Sequence, residues 1–201
     1  MPSFNPFHRE AALRDAVRFV IVANLAYFFV EFSVALAIHS VALFADGIDF
    51  LEDASVNSLI LLALAWPARA RARVGMGMAA LLLVPGIAAA WTAWQNFSAH
   101  VIPASLPLTL TGLGALAVNF TCAAALLRFR HHGGSLTKAA FLSARNDVLV
   151  NVAVIAAGVA TALSRSLWPD LIVGLGIAVL NAGSAREILE AALEEHRTPE
   201  S

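Results

Sequence analysis

With 201 residues, 59% of them hydrophobic and only 13% charged, the chain is far from a soluble domain, in which about 25% of residues are charged. A mean hydropathy of +0.75 places it in the membrane class and leaves little chain for a soluble domain. The net charge of −1 says little because the charges are sorted by position, and the lone Cys122 excludes an intrachain disulfide; it reads as a small buried hydrophobe, a soft metal ligand being the lesser reading.

A bilayer span takes about 20 apolar residues. Six such segments joined by short links nearly exhaust the sequence, which reads as all-α and polytopic. Residues 1–18 are polar, carry Arg9, Arg14 and Arg18, and form an expected cytoplasmic N-terminal segment; mixed charge signs ahead of a full-length apolar run argue against a cleavable signal peptide. The transmembrane domain is expected over 19–192, followed by a short cytoplasmic tail over 193–201, of which EEHRTPES (194–201) reads as disordered. Span 1 (19–38) holds Asn24 and Glu31, seven residues apart and therefore on one face. Span 2 (41–66) leads into a tight basic loop, PARARAR (67–73). Span 3 (74–95) ends on Trp91 and Trp94, an aromatic-belt signature. A loop with His100 but no Lys or Arg precedes span 4 (108–127), which has Asn119 near its middle. RFRHHGGSLTK (128–138) is the second basic loop, and an SRSLWPD turn joins span 5 (139–163) to span 6 (171–192). Gly174 and Ala178 suit close packing within span 6.

Orientation follows from the cations. In a six-span chain Arg9, Arg14, Arg18, Arg69, Arg71, Arg73, Arg128, Arg130, Lys138, Arg186 and Arg197 fall on one side. Arg145 lies near enough to snorkel there, and Arg165 falls opposite. The positive-inside rule then puts both termini in the cytoplasm, in a cell (inner) membrane, with Trp66 at the inner interface and Trp91, Trp94 and Trp168 at the outer one. Asp53-Ala-Ser-Val-Asn57 in span 2 and Asp147-Val-Leu-Val-Asn151 in span 5 occupy the second helices of two three-helix halves. They suggest a 3+3 inverted repeat, an arrangement that in transporters puts the substrate site near the midplane.

Span 2 carries Asp46, Asp49, Glu52 and Asp53. An Asp at a helix centre costs about 2.5–3.5 kcal/mol, against about 0.3–0.6 returned by each Leu, Ile, Phe or Val, so these acids cannot face lipid. At about 100° per residue Asp46, Asp49, Asp53 and Asn57 form one stripe, with Glu52 roughly a quarter-turn or more away. Carboxylates inside a membrane mark functional sites. Asp147 stands near mid-depth in span 5, so Asp49, Asp53 and Asp147 could surround a divalent cation, hard and borderline cations accepting oxygen donors. A single Arg145 cannot neutralise three acids. Without metal, like charges in a low dielectric favour bound protons, and metal uptake would expel them. Asp46 reads as a local hydrogen-bonding group or a support for the ligands. Asn24 and Glu31 read as ligand supports or interhelical hydrogen bonders. His131 and His132 read as a solvated turn more readily than as a metal-capturing mouth.

The stretch S-V-A-L-F-A-D-G-I-D-F-L-E-D (40–53) resembles the second-helix signature of the cation diffusion facilitators, roughly S-x-x-L-x-A-D-x-x-[HD]-x-x-x-D. The resemblance extends to Asn24 and Glu31 in span 1, to the six-span layout, and to S-A-R-N-D (143–147) in span 5. It implies a tetrahedral site with two ligands from each of the second and fifth helices, which map onto Asp49 and Asp53, and onto Ser143 and Asp147. Ser143 stands where the family has His or Asp, and a neutral hydroxyl is a poor ligand. Water, Asn146, Asn151 or Asp46 could take the fourth position instead, or three protein ligands could suffice. An all-oxygen set weakens any preference for zinc over iron, manganese or cobalt, with cadmium also in range.

The resemblance further implies proton-coupled efflux of a divalent transition metal by alternating access in a homodimer formed through transmembrane helices. The metal is cargo, and the partners are lipid, metal and protons, with no nucleic acid. The family's C-terminal cytoplasmic metal-binding domain has no counterpart after span 6, so a short form is expected. With no His-rich metal motif, no G-x-S-x-G elbow and no paired protease aspartates, a secondary transporter is expected and not an enzyme. Two rival readings are a passive cation channel lined by the same acids and a transport-inactive membrane assembly partner.

Overall fold

Six helices make up almost all of the computed structural model, which describes residues 6–63, 68–127, 129 and 134–197. Within them, side chains are described at 11–59, 61, 73, 76–77, 87–127, 129, 146–183, 186 and 189–190. The helices are α1 (Pro6–Ile38), α2 (Val41–Ala63), α3 (Ala68–Ala99), α4 (Ser105–Leu127), α5 (Gly134–Ser164) and α6 (Trp168–Arg197). Among the described residues there is no strand, and the fold is that of a polytopic helical membrane protein.

α1, α3 and α5 end in the same way. His39, His100 and Arg165 each take a left-handed conformation (φ 56°, 53° and 49°). Such a residue after a helix lets the following amides satisfy its last carbonyls. Ser40 N donates to Ala35 O and Val101 N to Asn96 O, each at 3.1 Å, while Arg165 N donates to Thr161 O at 2.9 Å. The ends of α1 and α3 meet at one face of the bundle, where Asn96 donates to the His39 carbonyl. Trp91, Trp94 and Trp168 are exposed, as an interfacial belt requires.

The helix ends differ from the sequence expectation where good helix formers continue past the apolar run. α3 starts at Ala68, so Arg69, Arg71 and Arg73 lie in its first turns and not in a loop; alternating Ala and Arg favour helix. α6 continues to Arg197, so residues 194–197 of the stretch expected to be disordered are helical. An Arg186–Glu190 pair at 2.7 Å supports its exposed face. α1 takes in most of the polar lead-in, and α5 starts at Gly134. Trp66, Arg128, Arg130, His131, His132 and residues 198–201 lie outside the described residues, as do the side chains of Arg9, Lys138, Ser143, Arg145 and Arg197.

Three stretches are long and apolar enough to cross a membrane by composition alone, Ala11–Ile38, Ser105–Leu127 and Asn146–Ser164, and Trp168–Gly183 is apolar but shorter. At a rise of about 1.5 Å per residue, the 23 residues of α2 span about 35 Å. Its length suffices; its acids keep it out of that class. Their position explains how they are tolerated, because α2 is the central helix and packs on all five others. Leu43, Phe44, Ala45, Ile48 and Leu51 of α2 are buried together with Ala35, Ala89, Leu108, Val154 and Ile177. Val22, Phe29, Phe120, Leu149 and Val179 are exposed on the outer helices and suit acyl chains.

The start of α2 is fixed by α6. Ser40 caps its own helix by accepting from Leu43 N at 3.1 Å. Asp170, fully buried, accepts from Ser40 Oγ at 2.6 Å, Val41 N at 2.8 Å and Ala42 N at 3.2 Å. An anion at a helix N-terminus satisfies donors that have no partner within the helix. One turn on, Gly174 lies so close that a Cβ there would come within 2.6 Å of the Val41–Ala42 backbone. The small residue thus serves packing within the chain.

Candidate cation site

α2, α5 and α6 enclose a cavity of about 250 Å³ whose polar wall is Asp49, Glu52 and Asp53 from α2, Asn146 and Asp147 from α5, and Asn181 from α6. The three carboxylates singled out in the sequence therefore share one space. Asp53 is 8% exposed and accepts from Asn24 Nδ2 of α1 at 3.4 Å, which gives Asn24 a direct role in orienting it. Asn24 in turn meets Cys122, whose Sγ lies 3.8 Å from its Oδ1; that cysteine is buried, as expected. The Asp147 carboxyl lies against that of Asp53, and its Oδ2 is buried with no hydrogen-bond donor. Asn181 Nδ2 donates to the Ala45 carbonyl at 2.8 Å, leaving its side-chain oxygen as the group available to the cavity. Among the described residues no three His, Cys, Asp or Glu side chains converge on one metal-sized point; the carboxylates line a common wall without closing around a single centre.

The cavity takes in an acid outside the expected stripe. Glu52, predicted to point away, is on the cavity wall. Residues three and four apart are neighbours on a helix, so Glu52 and Asp53 both flank Asp49, and the cavity is wider than a single stripe. Asn57 is buried, donates to the Asp53 carbonyl of its own helix at 2.8 Å, and is not among the residues that line the cavity. Asp46 is fully buried on the other flank. Both its oxygens accept from Asn151 Nδ2 of α5, at 2.9 and 3.2 Å, and Asn119 Nδ2 of α4 reaches Asn151 Oδ1 at 3.3 Å. Of the alternatives for a fourth ligand, Asp46 and Asn151 are thus committed to each other, while Asn146 lines the cavity. The backbone of Ser143 lies in α5, one turn before Asp147. Its side chain, like that of the expected ion-pair partner Arg145, is outside the described residues.

The Asp46–Asn151–Asn119 layer borders the cavity toward the start of α2 and the end of α5. Sequence reasoning missed Asn181 and Asp170. Each had a readable signal, a polar side chain in or beside an apolar helix, where it needs a specific partner.

Residues 17–195 match the profile of the cation efflux transmembrane domain. The chain belongs to the cation efflux family. A comparison with curated proteins returned no match. Membership makes this cation efflux protein a multi-pass membrane protein of a family that transports cations, and the carboxylate cavity between α2, α5 and α6 is its candidate cation site.

Proposed function

We propose that this cation efflux protein exports a divalent transition metal from the cytoplasm in exchange for protons, through a site near the membrane midplane between α2 and α5. Asp49, Asp53 and Asp147 hold the ion, with Ser143, Asn146 or water completing its coordination. The observation that carries the reading is the meeting of Asp53 and Asp147, one oxygen of which is buried without a donor. Two acceptor-only groups in contact need a cation between them, and either a proton or a metal supplies it. Competition between the two at the same oxygens couples metal uptake to proton release.

The all-oxygen donors suit zinc, iron, manganese, cobalt or cadmium without strong preference. The distribution of Arg and Lys supports cytoplasmic termini in a cell membrane, and the exposed apolar faces leave room for a homodimer through transmembrane helices. A passive channel fits less well, because a layer of interhelical hydrogen bonds, Asp46–Asn151–Asn119, borders the cavity on one side. The test is metal addition to proteoliposomes loaded with a pH-sensitive dye. Metal-dependent proton flux that is lost in Asp49→Ala is the expected result; flux that survives the substitution, or none in the wild type, would sink the reading.

A further inference from the structure

One polar group in the membrane core is not used by the cation site. Glu31 of α1 is fully buried, and neither of its side-chain oxygens receives a hydrogen bond. It packs against α2 beside Gly47, where a Cβ would lie 3.8 Å from Glu31 Cγ, and its carboxyl lies against that of Asp46. The donors nearby are already committed. Asn151 gives its amide to Asp46, and the hydroxyl of Tyr27, one turn before Glu31, donates to the Thr111 carbonyl at 2.6 Å. Among the described residues no Lys, Arg or His pairs with either acid. The titratable groups facing the pair are Tyr27 from α1, Asp49 from α2 and Asp147 from α5, all neutral or negative. From α4 and α6 come the amides of Asn119, which donates to Asn151, and Asn181, which donates to the Ala45 carbonyl; the titratable Cys122 of α4 is turned to Asn24 and Asp170 of α6 to the start of α2.

Two buried carboxyls in contact, both acceptors when ionised, require a positive centre between them. The chemistry around them selects which one. A metal would need carbonyl or carboxylate oxygens turned inward; here the neighbouring amide presents its N–H groups to Asp46 and turns its oxygen to Asn119. That arrangement stabilises a carboxylate and offers no further oxygen to a cation. The pair is also sealed, both residues being 0% exposed, whereas the cavity beside it is open enough to admit an ion.

We propose that Glu31 and Asp46 form a second, dry proton-binding site, separate from the metal cavity, in which Glu31 carries the proton and donates it to Asp46. The Asp46–Asn151 bond joins this site to the same two helices that supply the cavity's acids: Asp49 and Asp53 lie one and two turns further along α2, and Asp147 one turn earlier in α5. The proton therefore stays in place when the cavity takes up metal, a consequence that rests on the transport reading; the existence of the shared proton does not.

The experiment is difference infrared spectroscopy of the full chain in lipid at neutral pH, following the C=O stretch that protonated carboxyls show and carboxylates lack. Replacing Glu31 by its amide (Glu31→Gln) is expected to remove one protonated carboxyl per chain. Asp46→Asn removes the acceptor and should shift the same band, which guards against a folding defect in the first variant. The band should persist in the Asp49→Ala/Asp147→Ala double variant and on adding Mn²⁺ to the wild type. A band unaffected by both Glu31→Gln and Asp46→Asn, or one abolished by the double variant or by Mn²⁺, would overturn the proposal. Calorimetry on the same samples separates the two readings. An absence of Mn²⁺ binding, extended over the other candidate metals, counts against transport, while the band lost in Glu31→Gln still establishes the proton.

Discussion

Over residues 41–48 α2 is buried on every side and its start is capped by Asp170; from Asp49 to Asp53 the same helix turns three acids into a cavity. In the first stretch and its cap, donors from neighbouring helices meet the acids, Ser40 bonding Asp170 and Asn151 bonding Asp46, and the Glu31 carboxyl that also lies against Asp46 is sealed from the cavity. In the second, like charges face each other, and Asp53 meets Asp147. The difference separates what holds the helix from what the helix holds. The first stretch depends on complementary packing and should fail through stability. The second depends on a cation and should fail through binding and transport.

The largest effects are expected at the acids. Asp49→Ala or Asp147→Ala is expected to lower metal affinity by at least roughly 100-fold, since even groups that only orient ligands are worth about 10–100-fold. Thermal stability should hold or rise, because a like charge has been removed. Calorimetry with a metal panel and a thermal-unfolding scan check both halves. Acidification should act in the same direction: the ligands must be ionised to bind metal, so affinity falls by about tenfold per pH unit for each proton displaced. A binding curve indifferent to pH would separate the metal from the carboxylates.

Variants in the sealed stretch should reverse the pattern. Gly174→Val places side-chain atoms into the α2 backbone and should cost about 3 kcal/mol or more, at the top of the range for overpacking, seen as a lower unfolding temperature and a poorer folded yield. Asp170→Ala removes a cap and leaves buried donors, at a cost of about 2 kcal/mol; folded protein should bind metal with affinity within about threefold of the wild type, since Asp170 lies outside the cavity. The smallest effect is expected at Ser143→Ala, also within about threefold, because a neutral hydroxyl adds little to an oxygen site already holding three carboxylates.

The helical membrane architecture is legible in the sequence because apolar runs and sorted arginines report the bilayer directly, and Asp49, Asp53 and Asp147 are legible because acids in such runs are costly. What stays hidden depends on partners. Helical spacing places Asp46 in the stripe with Asp49, and only the approach of Asn151 from α5 shows that it turns elsewhere. Glu52 falls off the stripe on an angle measured within one helix, although the cavity is shaped by three. Asp170 reads as part of a turn, since nothing in SRSLWPD announces that its carboxylate caps a helix 130 residues earlier in the chain. The arginines at 69–73 read as a loop when charge is taken as a boundary, whereas their helix propensity carries α3 through them.

A double-mutant cycle in metal binding shows most directly whether α2 and α5 hold one ion between them. Mn²⁺ affinity is measured by calorimetry for the wild type, Asp49→Ala, Asp147→Ala and the double variant, with folding of each checked by thermal scan. If both carboxylates hold the same ion, the losses are strongly non-additive, and the double variant binds hardly more weakly than either single one. Losses that add independently, or a single variant that retains wild-type affinity, would contradict a shared site.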